Sequence, residues 1–340
     1  MNSTILRTNR SNEFQSFKQF VDDSSSIIIT SHQNPDADAI GSTIAMQEYL
    51  LSIGKKCTIV LCDKAPYNLR FIDSDNRIVH YNPETDVELL TLADLVIILD
   101  VNTYVRLKKV GEKLQLLSKK TILIDHHHDP VIEANLSIVD TDCPSTCELL
   151  YTLFSCDSEF TPTTKLASAI YAGMYTDTGG FRFTRTDSET FLIAAELVQF
   201  GANPVTIYDE IINSSPIGRI KLVGKVYQSM RLYFEEKICI VSISQQDFLE
   251  TKTTLEHADG IIASLLEIKG VKLAVMMIED VNRIKLSFRS KGDFPANQVA
   301  KIFGGGGHFN AAGGTLPVEL TLDEAAEKIT TALNDFSKYL

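Results

Sequence analysis

The chain has 340 residues, more than one typical domain holds, so two domains are expected. With 44% hydrophobic and 22% charged residues, it has the composition of a soluble globular protein able to bury full cores. A formal net charge of −12 argues against a protein that coats long nucleic acid or an anionic membrane, since both need basic faces; short nucleotides in a local basic pocket stay open.

The first half alternates strand-like and helix-like segments. Ser26–Thr30 is a short β-branched run, and Gly41–Ile53 follows as a helix with Ile44, Ala45, Leu50 and Leu51 on its apolar face. Thr58–Leu61 and Leu95–Asp100 are strands, Thr103–Leu117 a helix, Thr121–Asp125 and Leu136–Val139 strands, and Thr146–Phe154 and Thr163–Tyr175 helices. Apolar runs without polar alternation fit strands covered on both faces, so a mostly parallel sheet flanked by helices is expected. After Thr186 the pattern changes. Ser188–Phe200, Val205–Ile212 and Ile217–Arg231 read as helices, the last as a bridge between domains. Strands return at Lys237–Ile243, Leu273–Glu279 and Arg283–Arg289, among helices at Ala258–Leu266, Ala296–Ile302 and Leu322–Phe336. The turn Glu279–Asn282 suggests a hairpin, so the second domain is a smaller mixed α/β unit.

Several of the apolar runs end in chemistry. Thr121–Asp125 runs into His126, His127 and His128, and carboxylate with imidazole is a usual ligand set for borderline divalent metals. The loop Ser31–Ser42 places His32, Asp36 and Asp38 between a strand and a helix, where open α/β sheets bind ligands. As structure alone, Asp38 or Ser42 would cap that helix. Asp100 ends the strongest buried strand, and Asp177 ends a small-residue helix, where a carboxylate opposes the helix dipole and so points to a compensating cation. Of seven histidines, five lie in these motifs or beside the glycine run 304–307, while His80 and His257 read as surface residues. His32, Asp36, Asp38, Asp100, His126 and Asp177 make four carboxylates and two imidazoles. That set suits two divalent ions bridged by one carboxylate, Mn²⁺ first, with Mg²⁺ or Fe²⁺ as alternatives.

The motifs resemble the DHH phosphoesterase superfamily, named for the run that here is Asp125-His126-His127, and Gly304–Gly314 resembles the GGGH motif of its associated C-terminal domain. The resemblance covers nearly the whole chain. It implies a parallel-sheet catalytic domain over residues 1–200, a helical linker over 201–231 and a substrate-binding domain over 232–340, with the active site in the cleft between domains. It implies that His32 and Asp36 hold one metal, that Asp38, His126 and Asp177 hold the other, and that Asp100 bridges them. Asp125 would orient His126, and His127 would touch the scissile phosphate or the attacking water. Arg289, Gly305, Gly306, Gly307 and His308 would bind substrate, with Arg182 and Arg185 as weaker candidates and His128 as an additional histidine. The loop reads Asp36-Ala37-Asp38 where relatives often have glycine in the middle.

With no appended module, the chain is similar to the compact nanoRNase group of that superfamily. This implies hydrolysis of short RNA oligonucleotides to mononucleotides and of 3′-phosphoadenosine-5′-phosphate (pAp) to AMP. The alternatives are a phosphodiesterase for linear pApA or cyclic di-AMP and, from another class, a non-catalytic nucleotide-binding regulator. A homodimer is implied by resemblance. Six scattered cysteines read as free buried thiols; Cys143 and Cys147 have a spacing zinc could use, but no second pair follows. Met1–Asn12 is polar and lacks an apolar signal core, and no apolar run approaches about 18 residues, so a cytoplasmic protein without a membrane span is expected.

Overall fold

The apolar runs of the first half pair side by side and in parallel, as strands buried on both faces must. The structure, a computed structural model, describes residues 10–340; residues 1–9, most of the polar Met1–Asn12 stretch, lie outside the described residues. The chain divides into two units, Met1–Ser214 and Ser215–Leu340.

The first unit contains α1 (Ser11–Asp22), β1 (Ile27–Thr30), α2 (Ala37–Ser52), β2 (Cys57–Leu61), β3 (Ile78–His80), α3 (Val87–Leu92), β4 (Leu95–Leu99) and α4 (Lys108–Leu117), then β5 (Lys120–Asp125), β6 (Leu136–Val139), α5 (Thr146–Phe154), α6 (Thr164–Asp177), α7 (Ser188–Gln199) and α8 (Pro204–Tyr208). The sheet order is β3-β2-β1-β4-β5-β6 and every pair is parallel. Side chains alternate between two cores, as the period of two requires. Ile27, Ile29, Ile97 and Leu99 pack with α1, α2, α5 and α6, where Tyr49 and Phe154 stack at 4.2 Å. Ile28, Val96, Ile98 and Leu123 pack on the other face with Leu90 of α3 and Val110 and Leu114 of α4. The strand order reverses between β1 and β4, the point at which such sheets bind ligands beyond their carboxyl ends.

Some boundaries differ from the sequence reading. Helix α2 begins at Ala37 rather than Gly41, because the Asp36 side chain caps it by accepting from the backbone N–H groups of Asp38 and Ala39. The segment read as Thr103–Leu117 breaks into a 3₁₀ turn, Tyr104–Leu107, followed by α4. Neither α1, with Phe14, Phe17 and Val21 buried, nor the short β3 was expected.

The second unit contains α9 (Ile217–Gln228), β7 (Arg231–Tyr233), β8 (Ile238–Ile243), α10 (Gln245–Thr251), α11 (Ile261–Leu265), β9 (Leu273–Glu279), β10 (Arg283–Ser290), α12 (Ala296–Ile302), β11 (Gly306–His308), β12 (Ala311–Pro317) and α13 (Leu322–Leu333). Its mixed sheet has the order β11-β12-β10-β9-β8-β7, with β8 and β9 parallel and all other pairs antiparallel. The expected hairpin at 279–282 joins β9 to β10. The stretch 201–231, read as a linker, is divided by its packing. Ile207 and Ile211 belong to the core of the first unit, whereas Leu222 and Val226 of α9 pack in the second. Among the described residues no single helix is long and apolar enough to cross a membrane.

Candidate metal centre

The carboxyl ends of three adjacent strands, β1, β4 and β5, deliver the first group of polar side chains. His32 follows β1, Asp100 follows β4, and Asp125, His126 and His127 end β5. Helix α2 adds Asp36 and Asp38 at its start, and α6 adds Asp177 as its last residue. Glycine lets α6 come this close: a Cβ on Gly173 would sit 2.8 Å from the Asp38 carboxylate and 2.3 Å from Cys147 Sγ.

Asp100 lies at the middle of the cluster. Its φ of 57° is in the left-handed region, which Asp tolerates better than most residues, and this turns the chain as it leaves β4. Its Oδ2 is 3.3 Å from His32 Nε2, and its Oδ1 is 3.6 Å from His126 Nε2 and 3.7 Å from His127 Nδ1. The Thr146 hydroxyl donates to Oδ1 at 3.2 Å. Asp38 is fully buried and accepts the backbone N–H groups of Thr146 (2.7 Å) and Cys147 (2.9 Å), so the first turn of α5 holds its negative charge. His126 Nε2 lies 3.3 Å from Asp177 and 4.0 Å from Asp38.

These atoms form three overlapping groups, each with its ligand atoms within 4.8 Å of one another: His32, Asp36 and Asp100; Asp38, His126 and Asp177; and Asp100, His126 and His127. The groups fit divalent cations on the chemistry of their donors, which is oxygen-rich with some imidazole nitrogen. A second observation agrees. His32 Nε2 is buried without a hydrogen-bond partner while facing the carboxylates of Asp100 and Asp36 at 3.3 and 3.6 Å. The protonation of the cluster tells the same story. Burial first, then the Asp38 charge, pushes Asp100 well above the usual carboxylate range and Asp177 up to about 7. Burial opposes charge on His32 and His126, but their carboxylate partners outweigh it and push both up to about 10. Without a cation, protons on Asp100, Asp177 and the two imidazoles offset the crowded charge; a cation would take the place of those protons.

The structure corrects one expected role. Asp125 does not touch the His126 ring. Its Oδ1 accepts from His127 Nδ1 at 2.7 Å and from the His126 backbone N–H at 2.9 Å, while His126 Nδ1 faces the Cys143 carbonyl at 3.3 Å. Residues two apart on an extended segment share a face, so Asp125 pairs with His127, not with its neighbour. Nδ1 then carries the His127 hydrogen, leaving Nε2 for a ligand. Thr146, the backbone amides of α5 and the Cys143 carbonyl went unanticipated. The available signal was Ser145-Thr146-Cys147-Glu148, a capping pattern that marks a helix N-terminus; Ser145 does accept from Glu148 N. Cys143 and Cys147 are buried free thiols, and Cys143 Sγ donates to the Ser145 carbonyl.

The remaining expected residues lie in the second unit. Arg289 on β10 is paired with Ala311 on β12, which is paired in turn with His308 on β11, so Arg289 and His308 share one row and one face of that sheet. Arg289 is half-buried, which lowers its pKa against the opposing charge of Asp259, and its Nη1 donates to the Phe288 carbonyl. A Cβ on Gly305 would lie 1.9 Å from the Gly313 carbonyl oxygen, so the sheet itself requires that glycine, whereas one on Gly306 would meet nothing within 4 Å.

Residues 26–174 match the DHH family, N-terminal domain, and residues 236–335 match the DHHA1 domain. The bifunctional oligoribonuclease and PAP phosphatase NrnA of Thermus thermophilus is 29% identical over 310 residues, spanning 91% of this chain and 89% of that protein. The protein of the same name from Bacillus subtilis is 29% identical over 292 residues, spanning 85% and 89%. A solved structure of an exopolyphosphatase-related protein from Bacteroides fragilis superposes with a TM-score of 0.90 at 28% identity, covering 100% of this chain and 99% of that one.

Proposed function

Because this chain belongs to the DHH family of metal-dependent phosphoesterases and carries a DHHA1 domain, we propose that it hydrolyses short RNA oligonucleotides to mononucleotides and pAp to AMP. The observation that carries the reading is Asp100, which faces His32 with one oxygen and His126 with the other. The names of the Thermus and Bacillus relatives support the choice of substrates.

His32 and Asp36 would hold one divalent ion, Asp38, His126 and Asp177 a second, and Asp100 would bridge the two, with Mn²⁺ as the proposed metal. Bound there, such a pair polarises the phosphoryl group and lowers the pKa of water enough to supply a nucleophile at neutral pH. The chain's own residues do the rest. The amides of α5 hold the buried Asp38 in place, and Thr146 does the same for Asp100. Asp125 fixes the His127 ring with its hydrogen on Nδ1, so that Nε2 would accept a hydrogen bond from the attacking water. Arg289, with its fork of donors, would take a phosphate of the distal nucleotide, and His308 would add a hydrogen bond from the same face. Gly306, which carries no side chain the sheet excludes, would let a substrate oxygen approach the backbone at the start of β11. A substrate held by a few such groups is short, which reconciles an acidic protein with RNA as substrate. The reading places the enzyme in the cytoplasm, where its six unpaired cysteines stay reduced, and takes it as a homodimer, which sedimentation velocity tests.

The deciding experiment is a panel of 5′-phosphorylated RNAs of increasing length beside pAp, pApA and cyclic di-AMP, with Mn²⁺. The proposal expects dinucleotides of any base and pAp to be cleaved and long RNA to be spared. Cleavage of adenine dinucleotides alone would move the enzyme to second-messenger turnover. Binding of pAp with no turnover would make it a nucleotide-responsive regulator.

A further inference from the structure

A cavity of about 300 Å³ opens beside the metal centre, with His126 and Asp177 in its wall. Most of the remaining lining comes from the loop 178–186 that follows α6. Its own hydrogen bonds fix this loop: the backbone N–H groups of Arg182 and Phe183 both donate to the Thr178 carbonyl at 2.9 Å, and Phe181 N–H donates to the Thr178 hydroxyl. On it stands Phe183, 53% exposed, its ring lying so close to Gly179 that a Cβ there would be 2.5 Å away.

Arg185 lines the same cavity. Its Nη2 lies 3.2 Å from His128 Nε2, and because a guanidinium can only donate, the imidazole nitrogen accepts. His128 is itself tied down through its carbonyl, which accepts from Asn102 Nδ2 at 3.0 Å. The third histidine of the run, outside the metal-ligand groups, thus holds the arginine at the cavity by one arm and leaves its other N–H groups available. Thr186, also in the wall, has a buried hydroxyl oxygen with no hydrogen-bond partner.

An aromatic ring, a held guanidinium and an unspent hydroxyl beside a phosphoester site are the chemistry that recognises a nucleoside carrying a phosphate. Bases stack on aromatic side chains, and arginine pairs with phosphate oxygens through two parallel bonds. The volume sits at the low end of small-ligand sites, roughly 300–1,000 Å³, which suits one nucleoside and not an oligomer. We propose that this cavity binds the nucleotide adjacent to the scissile bond, with Phe183 stacking its base and Arg185, positioned by His128, contacting its phosphate. This inference rests on the phosphoesterase reading above and adds to it a base-contacting surface on the first unit.

Two readouts test it. Calorimetry measures AMP binding in Mn²⁺ to the wild type and to Phe183→Ala, Arg185→Ala, His128→Ala and His128→Gln. Kinetics give the ratio of kcat/KM for an RNA dinucleotide to that for bis(p-nitrophenyl) phosphate, a diester without a base. Phe183→Ala and Arg185→Ala are expected to weaken AMP binding about tenfold and to lower the selectivity ratio by a similar factor. His128→Ala is expected to lower both several-fold, and His128→Gln, which keeps an acceptor, to restore them. Unchanged AMP binding and selectivity in folded Phe183→Ala and Arg185→Ala would overturn the proposal; if Phe183→Ala does not fold, Phe183→Leu removes the stacking ring while keeping an apolar side chain. Should the wild type hydrolyse neither diester, the phosphoesterase reading fails, and AMP binding still decides the cavity.

Discussion

Replacing Asp125 by Asn separates turnover from metal binding. The carboxylate is fully buried, and its 2.7 Å bond to His127 Nδ1 is charge-assisted. Hydrogen bonds to a charged group contribute about 1.5–3 kcal/mol, against about 1 kcal/mol for neutral ones. The amide oxygen of Asn keeps the bond and loses the charge, so the difference is about 0.5–2 kcal/mol, or roughly 2- to 30-fold in kcat. The His126 ring is held by the Cys143 carbonyl and not by Asp125, so the Mn²⁺ dissociation constant is expected to change less than about threefold. The variant also melts lower, because the amide nitrogen would occupy the place of Oδ2, which is buried without a partner; an unsatisfied donor there costs about 1–3 kcal/mol. The assay pairs a calorimetric Mn²⁺ titration with kcat at saturating metal, well below the melting range. A metal affinity weakened tenfold or more, with kcat restored by excess Mn²⁺, would refute the pairing of Asp125 with His127 and return it to His126.

Metal stabilisation should grow with pH. In the metal-free fold Asp177 titrates near 7 against an ordinary 3.8, so the folded state binds the extra proton and stability falls as pH rises between those values. His32 and His126 contribute stability that is fully present below 6.5 and is lost as pH rises through about 10. Cations replace those protons, so the Mn²⁺-induced rise in Tm is expected to be larger at pH 8 than at pH 5.5; a constant or shrinking rise would contradict the assignment of these groups as ligands. In the second unit, Gly305→Ala should lower Tm, because its Cβ would collide with the Gly313 carbonyl, whereas Gly306→Ala should leave Tm unchanged and raise KM for dinucleotides. Equal effects of the two on Tm, or no effect of Gly306→Ala on KM, would remove this segment from the substrate site.

The sequence pointed to the cluster because its polar side chains sit where apolar runs stop. Asp100 and Asp125 close uninterrupted buried runs, and a parallel sheet brings the ends of such runs to one edge. Residue type and spacing were therefore enough to collect His32, Asp36, Asp38, Asp100, His126 and Asp177. Which of two neighbouring side chains faces which partner was harder. The resemblance assigned Asp125 to His126, although the alternation of an extended chain puts it beside His127. The contribution of α5 was hidden for another reason. Two of the groups that hold Asp38 are backbone amides, which have no residue signature beyond the Ser145–Glu148 cap. Strands β11 and β12 were not expected, because glycine carries little strand propensity, yet the missing side chain at Gly305 is what lets the chain run so close to Gly313.

The most direct test of the account is mononucleotide release from a 5′-phosphorylated RNA dinucleotide in Mn²⁺, by the wild type and by Asp100→Ala. The account predicts cleavage by the wild type and a loss of at least about a hundredfold in the variant, since one side chain faces both ligand groups. Undiminished cleavage by Asp100→Ala, or none by the wild type with any divalent ion, would contradict it.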